Sequence, residues 1–300
     1  MLRFFCLILF GLATLLPAEE RIDDQTLKAL EQSLHMDAHA RFTQTIVSNE
    51  DLSRLVSDPR KLHALDGFFS HRIPGEAITN QQSTGRCWMF AGLNILRAQA
   101  AARLNCKDIQ FSQNYLFFYD KLEKSNLFLA AVERTREKPL EDRTVEFLMK
   151  NTADDGGQWV GLAELVRKYG AVPLQAMPET FASSHSGPVN RVVSRLLRKA
   201  ALQIRSERNA RKRGEIRLDT LKKVYRILAI NFGIPPKTFS FRYEDREGKV
   251  VRSPEYTPRS FAAEVITQNL DDFYAIYSIP TRPFNALYEI DLDKAVEEGP

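Results

Sequence analysis

Cys87 is the residue most suited to chemistry in this chain. It lies in Gln-Gln-Ser-Thr-Gly-Arg-Cys-Trp-Met-Phe-Ala, residues 81–91. From Cys87 to Leu104 there is no proline, and Ala and Leu abound, which is the strongest helix signal in the sequence. Gly85-Arg86 forms the entry, so the thiol falls in the first turn. A helix N-terminus carries positive partial charge and favours thiolate, the nucleophilic form. Six residues upstream, Gln81 offers a side-chain amide donor of the kind that stabilises an oxyanion formed on a carbonyl. The plainer reading of Cys87 is a small apolar residue buried at a helix start.

A thiol nucleophile needs a histidine to take its proton and protonate a leaving amine, with a third group to orient that histidine. The five histidines are His35, His39, His63, His71 and His185, and four of them precede Cys87. His185 sits in Ser183-Ser184-His185-Ser186-Gly187 and reads as a solvated loop residue; His71, sixteen residues before Cys87, is the other substitute to consider. Asp154-Asp155-Gly156-Gly157 marks a second feature, a loop that either presents backbone groups to a ligand or is an ordinary tight turn.

The elements that must hold these residues are mostly helical. Asp24 to Leu34 place Leu27, Leu30 and Leu34 at helical spacing behind Asp23 or Asp24 as N-cap. Residues 37–66 are mixed and polar with a break at Asp58-Pro59, and residues 67–86 read as a long extended loop. Ser112 to Leu122, Asp142 to Lys150, and Trp159 to Tyr169 stopped by Gly170 are further helices. Residues 189–230 form a long basic amphipathic stretch interrupted near Gly214. Phe239, Phe241 and Tyr243 alternate, Glu247-Gly248 turns and Lys249 to Arg252 follow, the pattern of a hairpin. Thr257-Pro258 open another helix, and Ala286 to Leu292 alternate like a strand. Helices dominate the front and strands come late, so the fold class expected is α+β.

Composition narrows the function classes. The 300 residues are 44% hydrophobic and 27% charged, close to the globular average. A net charge of +4 is too mild to argue for a nucleic-acid partner. Three cysteines exclude a disulfide scaffold and a Cys-rich zinc module, and no phosphate loop or dinucleotide fingerprint occurs, so no cofactor and no metal are expected. Residues 1–18, MLRFFCLILFGLATLLPA, run basic, apolar, small and then polar, the order of a secretory signal peptide. The apolar run is too short for a stable membrane span, which takes roughly twenty residues. Export to a periplasmic or extracellular compartment is therefore expected, with a cytoplasmic location if the start codon is misassigned.

Gln81, Cys87-Trp88 and Phe90-Ala91 together resemble the nucleophile segment of papain-like cysteine peptidases. Thr79-Asn80-Gln81, Gly85-Arg86-Cys87-Trp88, Phe111-Ser112-Gln113, Tyr115 to Phe118, Asp155 to Trp159 and Lys168-Tyr169-Gly170 are similar to the bleomycin hydrolase and aminopeptidase C branch. The resemblance runs from about residue 25 to the last residues. It implies that Cys87 is the nucleophile, that its N–H and the Gln81 side chain form the oxyanion hole, and that Gly156 and Gly157 pair with an extended peptide substrate. It further implies a papain-like fold with a helical half (76–185), followed at 186–300 by a basic helical insertion, the hairpin and the start of the β-rich half. An N-terminal helical extension (19–75) would precede them.

The sequence departs from that pattern in one respect that matters. Papain-like chains place the histidine roughly 130–150 residues after the cysteine, and for Cys87 that window, about 217–237, holds none. In the branch, insertions push the His and Asn further on, to positions that alignment of motifs puts beyond residue 300, so most of the β-rich half is expected to be missing. Two functions follow: a cysteine peptidase trimming peptides from the N-terminus, or an inactive, truncated or split peptidase half that serves as a binding or assembly subunit. The partners expected are peptide substrates and either a homo-oligomer or a complementing C-terminal half. Thr84 stands where many secreted relatives carry a second cysteine, and Cys106 reads as a bystander. Residues 191–213 carry nine Lys or Arg against one Glu without interleaved aromatics. That reads as a solvated or subunit-contact face rather than a nucleic-acid site.

Overall fold

The computed structural model describes residues 22–55, 58–64, 66–71, 78–274, 281, 283, 285 and 286. The segment 1–18 and, Ala286 apart, the strand expected at 286–292 lie outside them. The backbone divides into two units, Met1–Arg72 and Ile73–Pro300.

Among its described residues the first unit holds four helices: α1 (Asp24–Ser33), α2 (Ala38–Val47), α3 (Leu52–Leu55) and α4 (Pro59–His63). Three start the same way. Asp23, Asp37 and Asp58 keep extended backbone while their carboxylates accept from N–H groups of the first turn, satisfying donors that have no intrahelical partner. The mixed, polar stretch therefore contains a full helix, α2, opened by Asp37 and without a buried residue.

The second unit is built on α5 (Cys87–Arg103) and α6 (Gln113–Arg134). α6 is buried along most of its length, with Leu116, Phe117, Phe118 and Leu129 at 1% exposure or less. Its expected end at Leu122 is twelve residues short. Glu123 and Lys124 break the apolar pattern, but the structure pairs both, with Lys168 and Asp120 respectively, so the helix passes through them. Ser112 caps its start.

α7 (Arg143–Lys150) and α8 (Trp159–Tyr169) follow, then a one-turn α9 (Phe181–Ser184) and the long pair α10 (Gly187–Ser206) and α11 (Ala210–Phe232), which pack on each other and on α6. The break in the basic stretch falls at residues 207–209, not at Gly214. Glu207 turns extended, Asn209 caps α11 through the Lys212 N–H, and Gly214 is an ordinary helical position.

The hairpin forms as β1 (Arg242–Glu244) and β2 (Val250–Arg252), antiparallel, with Tyr243 opposite Val251. α12 (Pro258–Val265) begins in a Thr257–Ser260 capping box. Phe239, Phe241 and Tyr256 surround Phe261 edge-on at 5.4–5.6 Å, the geometry that aromatic quadrupoles favour. Gly170 joins this layer to α8. Its φ is +78°, and a Cβ there would lie 2.3 Å from the Pro258 backbone, so no other residue fits.

Candidate active site

Cys87 is the first residue of α5, exposed and free. Arg86 precedes it as N-cap, and the Arg86 carbonyl accepts from the N–H groups of Met89 and Phe90. The N–H groups of Cys87 and Trp88 take no acceptor among the described residues, as the first turn of a helix requires. Unengaged N–H groups at a helix start are donors of the kind that can stabilise charge developing on a carbonyl oxygen.

Gln81 reaches the same loop by a turn that side chains close. Its Nε2 donates to the Thr84 carbonyl at 2.7 Å, and the Thr84 hydroxyl donates back to the Gln81 carbonyl at 2.7 Å. Between them Gln82 adopts φ +54°, a left-handed conformation uncommon for a residue with a Cβ; the Asn80 side chain accepts its N–H at 2.8 Å. The Arg86 Nε donates to the Thr84 hydroxyl at 3.1 Å. The Arg86 guanidinium, 1% exposed, forks onto Glu179 at 2.9 and 3.0 Å and lies over the rings of Phe90 and Phe117.

Asp155 ties this loop to the glycines. Its carboxylate accepts from the Gly85 N–H at 3.2 Å, Asn190 at 2.8 Å and the Ser186 hydroxyl, and pairs with the buried Lys121 ammonium at 2.6 Å. Burial pushes the Asp155 carboxyl up, but Lys121 and these donors outweigh it and hold it well below the usual carboxylate range. The Asp155 carbonyl accepts the Trp88 indole N–H at 2.8 Å. Lys121 also donates to the carbonyls of Ala153 and Asp154, and Lys124 to that of Gly156. Two ammonium groups of α6 thus fix the backbone of residues 153–156. Asp120, buried between them, is pushed up to about 6 by desolvation against the pull of Lys124 and Lys121.

Gly157 meets the face of Trp88: a Cβ there would lie 2.5–2.8 Å from three indole ring atoms. The glycine is required by close approach rather than by a turn. Gly157 is exposed and its backbone N–H and C=O take no partner among the described residues, whereas the Gly156 carbonyl is occupied by Lys124. Gly157 therefore keeps both backbone groups, and Gly156 its N–H, to pair with an extended ligand. Trp88 and Trp159 are partly buried against the core, Trp159 resting on Phe273 with centroids 4.3 Å apart.

The structure brings Cys87, Trp88, Asp155 and Gly157 together and joins Gln81 to the same loop. It does not bring His185 to the thiol: that ring stacks on Phe181 at 4.3 Å and its Nδ1 bonds the Phe181 carbonyl. His71 contacts Ser70 and belongs to the first unit. Cys106 is buried, and burial raises its thiol. The sequence reading missed Arg86, Glu179, Lys121 and Lys124. Charges inside or next to apolar runs (Arg86 before the helix, Lys121 and Lys124 among the phenylalanines of α6) were the available signal, since a charge there must find a buried partner.

The chain resembles known proteins at this level too. Aminopeptidase C of Listeria monocytogenes serovar 1/2a is 34% identical over 253 residues, 83% of this chain and 57% of the relative. Bleomycin hydrolase of Homo sapiens is 31% identical over 283 residues, 90% and 62%. Aminopeptidase W of Lactobacillus delbrueckii subsp. lactis is 32% identical over 281 residues, 93% and 64%. The chain thus spans 57–64% of the length of these relatives. The crystal structure of PepW from Lactobacillus rhamnosis HN001 superposes with a TM-score of 0.77 at 36% identity, covering 85% of this chain and 58% of that one. The fold is therefore papain-like. With a thiol opening a buried helix, a glycine loop held against its tryptophan, and a match to the peptidase C1-like family model over residues 21–300, the chain belongs to that family.

Proposed function

We propose that this chain is a cysteine peptidase of the aminopeptidase type, cleaving peptide bonds by attack of the Cys87 sulfur on the scissile carbonyl. The observation that carries the reading is the exposed thiol at the first turn of α5, with unengaged N–H groups of Cys87 and Trp88 beside it and the Gln81 amide tied into the preceding loop. Gly157 and the Gly156 N–H receive the substrate backbone, and the Gly156 carbonyl, held by Lys124, keeps the loop in place. Relatives named aminopeptidases support the trimming of peptides from the N-terminus. The segment 1–18 supports an exported location. Among the described residues no helix is long and apolar enough to cross a membrane.

One observation favours the second reading, a binding or assembly subunit: no imidazole bonds Cys87 among the described residues. On the first reading, a complementing segment supplies the acid and base, and the chain by itself acylates slowly.

Labelling with a thiol-reactive peptidyl epoxide, read by intact mass and peptide mapping, separates the two. Rapid single labelling at Cys87, lost in Cys87→Ser, supports the peptidase. Labelling no faster than that of a free thiol leaves the assembly role as the better account.

A further inference from the structure

The nucleophile loop carries a buried cation that the chemistry itself does not use. Arg86 is 1% exposed, forks onto Glu179, and is clamped between two phenylalanine rings. Burying an arginine in this way costs desolvation that its ion pair offsets only with good geometry, and a bidentate fork supplies that geometry and fixes direction as well. The fork leaves the Nε–H aimed at a single acceptor, the Thr84 hydroxyl.

That hydroxyl is the hinge of the turn. It accepts from Arg86 and so directs its own proton to the Gln81 carbonyl at 2.7 Å; the Thr84 carbonyl in turn holds one N–H of the Gln81 amide at 2.7 Å. An amide –NH₂ has two donors, so the second N–H of Gln81 is set in direction by the first. The strained Gln82 at φ +54° lies inside this loop, and such a conformation persists only where its surroundings over-determine it.

We propose that Arg86, acting through the Thr84 hydroxyl, is the positioning residue that orients the Gln81 amide as an oxyanion donor beside Cys87. The inference rests on the peptidase reading above. Its signature is a split between two reactions of the same thiol. Alkylation by iodoacetamide displaces iodide and develops no oxyanion. Addition to a peptide aldehyde does: the sulfur bonds to the carbonyl carbon, the C=O π pair moves onto oxygen, and that oxygen takes up the thiol proton. A misdirected Gln81 weakens the second and spares the first.

The test uses the full chain and its Thr84→Val and Thr84→Ser variants, with a dipeptide aldehyde ¹³C-labelled at the aldehyde carbon. Thr84→Val keeps the shape and removes the hydroxyl, avoiding the risk that Arg86→Met, run in parallel, fails to fold. We expect Thr84→Val to raise the aldehyde dissociation constant about tenfold, less than the roughly hundredfold or greater cost of deleting a donor. The iodoacetamide rate should stay within about twofold, and Thr84→Ser should restore aldehyde binding. Equal aldehyde binding by wild type and Thr84→Val overturns the positioning role and leaves the peptidase reading standing. A parallel loss of both reactions also overturns it, since the residue then only holds Cys87 in place. If the wild type forms no hemithioacetal resonance at all, the peptidase reading itself falls, and the positioning role with it.

Discussion

The two adjacent glycines should respond in opposite ways to the same added methyl group. At Gly157 a Cβ would lie 2.5, 2.7 and 2.8 Å from three atoms of the Trp88 indole, well inside contact distance. The ring is not free to retreat, because its N–H donates to the Asp155 carbonyl at 2.8 Å. Overpacking of this kind costs about 1–3 kcal/mol. If the ring moves instead, the indole hydrogen bond goes, at about 1 kcal/mol. Either way, Gly157→Ala is expected to lose about 1–3 kcal/mol. At Gly156 the nearest atom to a new Cβ is the Asp154 Oδ2 at 3.8 Å, and the backbone is not left-handed. Gly156→Ala gains up to about 1 kcal/mol from a stiffer unfolded chain. Equilibrium urea unfolding, followed by the fluorescence of the two tryptophans, Trp88 and Trp159, reads both variants with linear extrapolation. If the two variants lose the same stability, or Gly157→Ala stays within about 0.5 kcal/mol of wild type, the close-approach argument is refuted.

Three further outcomes follow from the same geometry. Asp155→Asn should cost about 3–5 kcal/mol by leaving Lys121 buried without its carboxylate, and the double variant with Lys121→Met should cost less than the sum of the singles; a strictly additive cycle would show that the pair does not interact. Because the Asp155 carboxyl is held low in the folded state, its contribution is present above the unfolded carboxylate range and lost as pH falls below it. Urea unfolding should therefore show wild type and Asp155→Asn converging in acid. Asp120 behaves inversely: its folded value is raised to about 6, so the stability of wild type relative to Asp120→Asn should fall as pH rises through 6. A pH-independent gap between those two curves argues against a titrating Asp120. Gly170→Ala should destabilise by more than a loop substitution, on the order of 2 kcal/mol or above, because the clash at 2.3 Å is with the Pro258 backbone; circular dichroism melting would show it.

Much of the helical frame was legible in local signals. α5 and α8 begin where the sequence placed them because an Ala- and Leu-rich run with no proline, or a run closed by a glycine, leaves the backbone few alternatives. Asp23, Ser112, Asp142 and Thr257 all cap, since a short polar side chain can answer an unpaired N–H without any help from the rest of the fold. α6 was cut short where Glu123 and Lys124 interrupt its apolar pattern, charges that Lys168 and Asp120 answer in the folded chain. α2 was overlooked inside a stretch read as mixed and polar, although its cap Asp37 is the same local signal that opens α1.

The sequence by itself determined the place of the Cys87 thiol in a helix first turn and the glycine loop, because those depend on residue type and spacing within short windows. Only the tertiary structure decided what holds them. Arg86 is 93 residues from Glu179, Gly85 is 70 from Asp155, and Trp88 is 67 from its carbonyl acceptor. Nothing local ties such pairs together; they meet because α6 lies buried at the centre and its lysines need carboxylates and carbonyls to answer their charge. The role of Gly157 was decided in the same way, by an indole from another helix laid against its backbone.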